Sequence, residues 1–244
     1  MMKAVLFVAH GTRVKAGINE AIQFIETVKP LIQVDIQEIC FLELAEPSII
    51  DGIATCVAKG ATNISVIPIL LLSANHAKQD IPLEIHKAQK LYPSVSISIG
   101  QPFGIHEKLV ISLHERILEK NTLRENDVDI LLIGRGSSDI QVQTDLQSIA
   151  NLLKQKFQYS TVDTCFLYGN GPSFEDVLQQ LNKRERKVFI VPYLLFTGLL
   201  KMGIRKKIEK LGLSEDQIVL CECLGYDNNV REVLVERVNE TLVS

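Results

Sequence analysis

The sequence predicts an α/β protein of two duplicated domains, each a four-stranded parallel sheet flanked by helices, over residues 1–122 and 123–244. Three observations carry this: an internal repeat, apolar runs of strand length, and helical stripes between those runs. In the repeat, VLFVAHGT at Val5–Thr12 faces ILLIGRGS at Ile130–Ser137, and FLELAEPSIID at Phe41–Asp51 faces FLYGNGPSFED at Phe166–Asp176. The same spacing separates Gly11 from Pro47 and Gly136 from Pro172. Further on, VIPILL from Val66 faces VPYLL from Val191, and QPFG at Gln101–Gly104 faces ECLG at Glu222–Gly225.

Strands are expected at about 4–9, 36–42, 64–72 and 95–100, and again at about 128–133, 161–167, 187–195 and 217–223. These runs are rich in Val, Ile and Leu without alternation, as in strands buried on both faces. Between them lie apolar stripes at helical spacing: Ile18, Ala21, Ile22, Ile25 and Val28; Ile49, Ile50, Ile53, Ala54 and Val57; Leu109, Val110, Leu113 and Ile117. The second half repeats them with Leu146, Ile149, Leu152 and Leu153, then Val230, Val233, Leu234 and Val238. Strand and helix alternating through short connections give parallel sheets with right-handed crossovers.

Composition narrows the function classes. The chain has 244 residues, 46 % hydrophobic and 23 % charged, with a net charge of −3, so no basic footprint for nucleic acid is present. No apolar run reaches the roughly 18 residues of a membrane span, and no secretory leader precedes the first strand, so a cytoplasmic protein is expected. The 5 cysteines are odd in number and mostly set in apolar patterns, which suits reduced, structural thiols. Cys221 and Cys223 are expected to pack rather than bind metal.

The two copies differ in their chemistry. His10 faces Arg135, Glu43 faces Tyr168 and His76 faces Leu199, so one copy holds two imidazoles and a carboxylate and the other holds none of them. Each of the three follows a predicted strand of the first domain, and ligands in open parallel sheets bind beyond the carboxyl ends of strands. The matching edge of the second domain carries Arg135, Gly136, Ser137 and Ser138, and the active site is expected in a cleft between the two edges. Two His and a Glu suit a first-row divalent metal and equally suit proton removal near neutral pH. Glu46, beside Pro47, is read as favouring a helix N-terminus. His106 and His114 are read as surface residues, and His86 as a solvated helix residue, with a second cleft residue as its alternative. The turn after the first strand also resembles that of the histidine phosphatases, but Ala9 stands where that family has an Arg. Gly134–Ser138 is neither a dinucleotide nor a Walker fingerprint.

AHGTR at Ala9–Arg13, FLELAEPS at Phe41–Ser48 and VIPILLLSANHAKQDIP at Val66–Pro82 together resemble the class II tetrapyrrole chelatases, and within them the two-domain sirohydrochlorin chelatases. The resemblance runs through both copies. It implies insertion of Fe2+ into sirohydrochlorin to give siroheme, with release of two protons, no ATP, and no cofactor beyond the substrate metal. Cobalt insertion on the anaerobic route to cobalamin is the alternative within the family, and Ni2+ is chemically admissible. A non-catalytic tetrapyrrole or metal carrier is the alternative of another class. The long cobalt-inserting members carry a His-rich stretch and a C-terminal cysteine motif, whereas VNETLVS at Val238–Ser244 has neither, which points to iron. The resemblance assigns His10, Glu43 and His76 to metal ligation and catalysis, with the division of ligand and proton-acceptor roles between the two His open. Sirohydrochlorin carries eight carboxylates, for which Arg13, Asn75, Lys78, Arg135, Ser137 and Ser138 are the candidate donors. Lys201 is expected to answer Lys78 from the second domain. The expected partners are sirohydrochlorin and a divalent metal, with hand-over of the substrate from the preceding enzyme. A monomer is expected, because two fused copies already form a pseudo-dimer.

Overall fold

The computed structural model describes residues 2–73, 76–120, 128–181, 186–196, 198–210, 212 and 217–242, with the backbone but not the side chain of His76. The first half runs β1 (Lys3–Ala9), α1 (Lys15–Val28), β2 (Ile36–Phe41), α2 (Ile49–Ala58), β3 (Asn63–Ile69), a π-helical turn (His76–Asp80), α3 (Ile81–Leu91), β4 (Ser96–Ile99) and α4 (Glu107–Leu118). The second runs β5 (Val128–Gly134), α5 (Gln141–Phe157), β6 (Thr161–Phe166), α6 (Phe174–Leu181), β7 (Lys187–Tyr193), α7 (Gly198–Lys210), β8 (Ile218–Leu220) and α8 (Asn228–Leu242). Both sheets are four-stranded and share one topology, β2-β1-β3-β4 and β6-β5-β7-β8, with every pairing parallel.

The third strand of each sheet ends earlier than its apolar run. Pro68 and Pro192 lack an N–H, and each sits past the last edge-strand pairing, which is Val66↔Ile99 in one sheet and Ile190↔Leu220 in the other. Pairing with the central strand runs on through Ile69 and Tyr193, and beyond those residues the chain stays apolar without continuing the ladder. The carbonyls of Leu70 and Leu71 accept from the N–H groups of Phe103 and Gly104 at 3.0 and 2.9 Å, and those of Leu194 and Leu195 accept from Leu224 and Gly225, both at 2.9 Å. The run therefore reads as a longer strand than forms. Separate cores lie in the two halves: Leu6, Cys40, Ile53 and Val66 belong to one, and Leu131, Cys165, Phe174 and Ile190 to the other.

The expected halves, 1–122 and 123–244, are repeats of sequence, and the compact units trade their last helices. Unit 1 comprises Met1–Gly104 with Arg231–Ser244, and unit 2 comprises Ile105–Val230. In unit 2, α4 packs on α5 and β7, with Leu109, Val110, Leu113 and Ile117 buried. Its Arg116 donates to the carbonyl of Leu224 at 3.0 Å and pairs with Asp227 at 3.4 Å. In unit 1, Arg237 of α8 plays the matching part, donating to the carbonyls of Pro102 and Phe103, both at 2.9 Å.

The five cysteines are free and buried, and burial pushes the thiols of Cys56, Cys165 and Cys221 up to about 12. They are inert packing groups at neutral pH. His114 departs from the expected surface position. It is buried, its Nδ1 lies 2.9 Å from the Tyr159 hydroxyl, and its ring stacks on Phe157 at 3.6 Å. The residue lay off the apolar stripe in sequence, but α4 packs against α5 over a wider face than that stripe. His106 accepts from the Lys108 N–H at 3.2 Å and caps α4, while His86 is exposed.

Candidate functional site

Register brings the ends of three strands level. Ala9 pairs with Phe41 of β2 on one side and with Ile69 of β3 on the other, so the residues after β1, β2 and β3 all leave the same sheet edge. β1 and β3 are also where the winding direction reverses in the order β2-β1-β3-β4, the place where open α/β sheets present ligand sites.

The turns after β1 and β2 are laced by backbone. Leu42 N–H donates to the Ala9 carbonyl at 2.9 Å, and Glu43 N–H donates to the His10 carbonyl at 3.1 Å. Gly11 makes this closeness possible. Its φ is +89°, and a Cβ there would stand 1.8 Å from the Glu43 carbonyl oxygen. Gly136 repeats the arrangement in the second unit, with a φ of +89° and a Cβ that would lie 1.8 Å from the Tyr168 carbonyl oxygen. After Glu43 the chain is turned into α2 by Ser48 and Asp51, which form a reciprocal capping box. The Ser48 hydrogen bonds hold the Asp51 carboxyl below its ordinary range.

This lacing sets two side chains together. His10 Nδ1 lies 3.7 Å from Glu43 Oε1 and 3.1 Å from the Gly11 carbonyl oxygen, with His10 27 % and Glu43 46 % exposed. The Gly11 carbonyl and the Glu43 carboxylate are both acceptors, so they favour the neutral tautomer with its proton on Nδ1. An ion or proton that arrived at Nε2 would be balanced by the carboxylate behind the ring, which also orients the imidazole.

The backbone of His76 opens the π-helical turn that leads into α3 after β3, at the same sheet edge; its side chain and the whole of Asn75 lie outside the described residues. Among the described residues no three His, Cys, Asp or Glu side chains form a group able to hold a metal ion. Arg13 and Lys78 are exposed on the first unit, as are Arg135 and Ser138 on the second, while Ser137 is half-buried. The Ser137 hydroxyl accepts from the Asp139 N–H at 3.1 Å, and the Ser138 carbonyl accepts from the Asn170 side chain at 3.1 Å.

Lys201 departs from its expected role. It is 7 % exposed and ion-paired with Glu222 within unit 2, and that pairing holds the Glu222 carboxyl below its ordinary range. The signal for the pair was in the repeat: Glu222 aligns with Gln101, so the second copy alone has a carboxylate at that place.

Comparison with known proteins gives a consistent set. The CbiX family model matches residues 4–120 and again 129–241. The chain is 45 % identical to the sirohydrochlorin ferrochelatase of Priestia megaterium, over 100 % of its own length and 92 % of the relative's. The structure of SirB from Bacillus subtilis with Fe3+ is 44 % identical and covers 99 % of this chain and 96 % of that one, with a TM-score of 0.91. SirB from Bacillus subtilis subspecies spizizenii in complex with cobalt is 41 % identical, covers 99 % and 95 % of the two chains, and has a TM-score of 0.87.

Proposed function

The chain belongs to the CbiX family, and from that membership we propose that it is a sirohydrochlorin ferrochelatase, a lyase that inserts Fe2+ into sirohydrochlorin and releases two protons. The observation that carries the reading is the His10–Glu43 pair at the carboxyl edge of β1 and β2, in a chain 45 % identical to a ferrochelatase along its full length. Cobalt is a second metal that such a site accepts, as the cobalt complex of a relative illustrates.

Metallation of a free-base tetrapyrrole exchanges two pyrrole protons for one M2+. The incoming ion must lose water, and two N–H bonds must break as metal–nitrogen bonds form. In the proposed mechanism His10 Nε2 and His76 hold the ion. A single lone pair cannot hold metal and accept a proton at one moment, so transfer is sequential: the ion moves from the two imidazoles to the macrocycle, and each vacated nitrogen takes one of the two pyrrole protons before passing it to water. Glu43 supports both states of His10. It compensates the charge of the bound ion and then of the imidazolium, from 3.7 Å. Arg13, Asn75, Lys78, Arg135, Ser137 and Ser138 are the proposed donors to the substrate carboxylates. No further cofactor is needed in this scheme, because the exchange is redox-neutral and is driven by metal–nitrogen bonding. No helix among the described residues is long and apolar enough to cross a membrane; a cytoplasmic location, with sirohydrochlorin handed over by the enzyme that makes it, is part of the proposal.

The test is anaerobic absorbance of sirohydrochlorin mixed with Fe2+ or Co2+, with the protein, with His10→Ala, and with neither. The expected result is catalysed insertion that falls about 100-fold or more in His10→Ala, while the mutant still binds the metal-free macrocycle. Equal loss of macrocycle binding overturns the role given to His10. Tight binding without turnover by the unmodified protein overturns the enzyme reading in favour of a carrier.

A further inference from the structure

Leu44 follows Glu43 directly and sits in the left-handed region with a φ of +61°. A residue with a Cβ enters that region at a cost, because the side chain crowds the following carbonyl. One other described non-glycine residue does so, Gln158 at the C-terminus of α5, where a left-handed cap is the ordinary way for a helix to end. Leu44 ends no helix.

The second copy shows what this backbone position asks for. Leu44 aligns with Gly169, which adopts the same conformation at φ +77°. There the turn closes tightly: Asn170 N–H donates to the Ser137 carbonyl at 3.2 Å, and a Cβ on Gly169 would stand 2.4 Å from that oxygen. Glycine is thus the residue the turn prefers, and the copy with no His–Glu pair has it. The copy that carries the pair has a leucine instead. Burial does not repay the strain, since Leu44 is 50 % exposed. A branched apolar side chain held against its backbone preference one residue from Glu43 is local strain at a candidate site, and strain so placed points to a functional contact.

Resting on the reading of the site as a chelatase, we infer that Leu44 is a substrate-binding residue that packs its isobutyl group on the apolar face of the tetrapyrrole ring. The chemistry is complementary. The carboxylates of such a substrate project from its rim, while the conjugated plane is apolar and gains by leaving water.

Leu44→Gly tests this in the full chain, with titration of metal-free sirohydrochlorin and thermal unfolding as readouts. The expected result is macrocycle affinity weakened about tenfold, a value set by loss of roughly half a leucine's burial, together with a Tm that holds or rises as the strain is relieved. Leu44→Met, which keeps an apolar side chain of similar volume, should restore most of the affinity. Unchanged affinity in Leu44→Gly overturns the inference, and so does a fall in Tm that accounts for the weaker binding. An unmodified protein that does not bind sirohydrochlorin overturns the functional reading itself, whereas one that binds and metallates it equally with and without the leucine overturns the role of Leu44 alone.

Discussion

Gly11 shows how one residue without a side chain fixes two with chemistry. The His10 and Glu43 backbones are joined by a 3.1 Å hydrogen bond across a gap that a Cβ at position 11 would fill, 1.8 Å from the Glu43 carbonyl oxygen. Gly11→Ala must therefore open the lacing between the turns after β1 and β2, besides placing alanine at a φ of +89°. Strain of this kind costs about 1–3 kcal/mol, and in a protein of this size each kcal/mol lowers Tm by roughly 2–4 °C. Gly136→Ala meets the same 1.8 Å obstruction at the Tyr168 carbonyl and supplies the control. Both substitutions should lower Tm by a similar amount, but metal insertion should fall further in Gly11→Ala, because only there are an imidazole and a carboxylate displaced. Equal effects on insertion would mean that displacing the His10–Glu43 pair costs no more than displacing Arg135 and Ser137 beside Gly136.

At the scale of elements, the repeat made the topology legible, because two copies of one pattern constrain each other. The strands after which His10, Glu43 and His76 fall lie where their Val, Ile and Leu runs place them, and they pair in parallel as the strand–helix alternation implies. The lengths of β3 and β7 were not legible: an apolar run marks burial, and Leu70 and Leu194 are packed without being in a ladder. His114 was misread for the related reason that a stripe marks one face of a helix, while α4 is covered over more than that face. Lys201 was misread because it was matched to Lys78 alone, whereas the sign of its partner lay elsewhere in the repeat, at Glu222 opposite Gln101. Its pairing joins α7 to the segment after β8, and this has a consequence for pH. Hydrogen bonding to Lys201 depresses the Glu222 carboxyl, so its stabilisation is present above the unfolded value, about 4.3 for Glu, and is lost as pH falls through the lower folded value. Glu222→Gln should accordingly lower Tm at pH 7, and the gap to the parent should close as pH drops below about 4.3. Thermal unfolding between neutral pH and pH 3 measures it. A gap that does not change with pH would show that the Lys201 contact is structural without being ionic.

At the scale of the whole molecule, the sequence repeat and the compact units are different partitions of one chain. The last helix of each repeat completes the other compact unit: α4 lies in unit 2, and residues 231–244 lie in unit 1. In unit 1, Val233, Leu234 and Val238 are fully buried, Gly100 leaves room for Thr241, and Arg237 holds the Pro102 and Phe103 carbonyls. Each buried apolar side chain contributes about 1.5–3 kcal/mol. Three of them are comparable with the 5–15 kcal/mol by which a typical domain is stable. A chain ending at Asp227 should therefore lose its first sheet, far from the cut in sequence. Amide hydrogen exchange is the measurement that distinguishes this from a local effect, because it reports opening strand by strand. Exchange in β1–β4 should accelerate strongly in the shortened chain, and more than in β5–β7, whose unit keeps α4. If β8, the strand beside the cut, opened first while β1–β4 stayed protected, α8 would be an appendage of its own repeat, and the first unit would be stable without it.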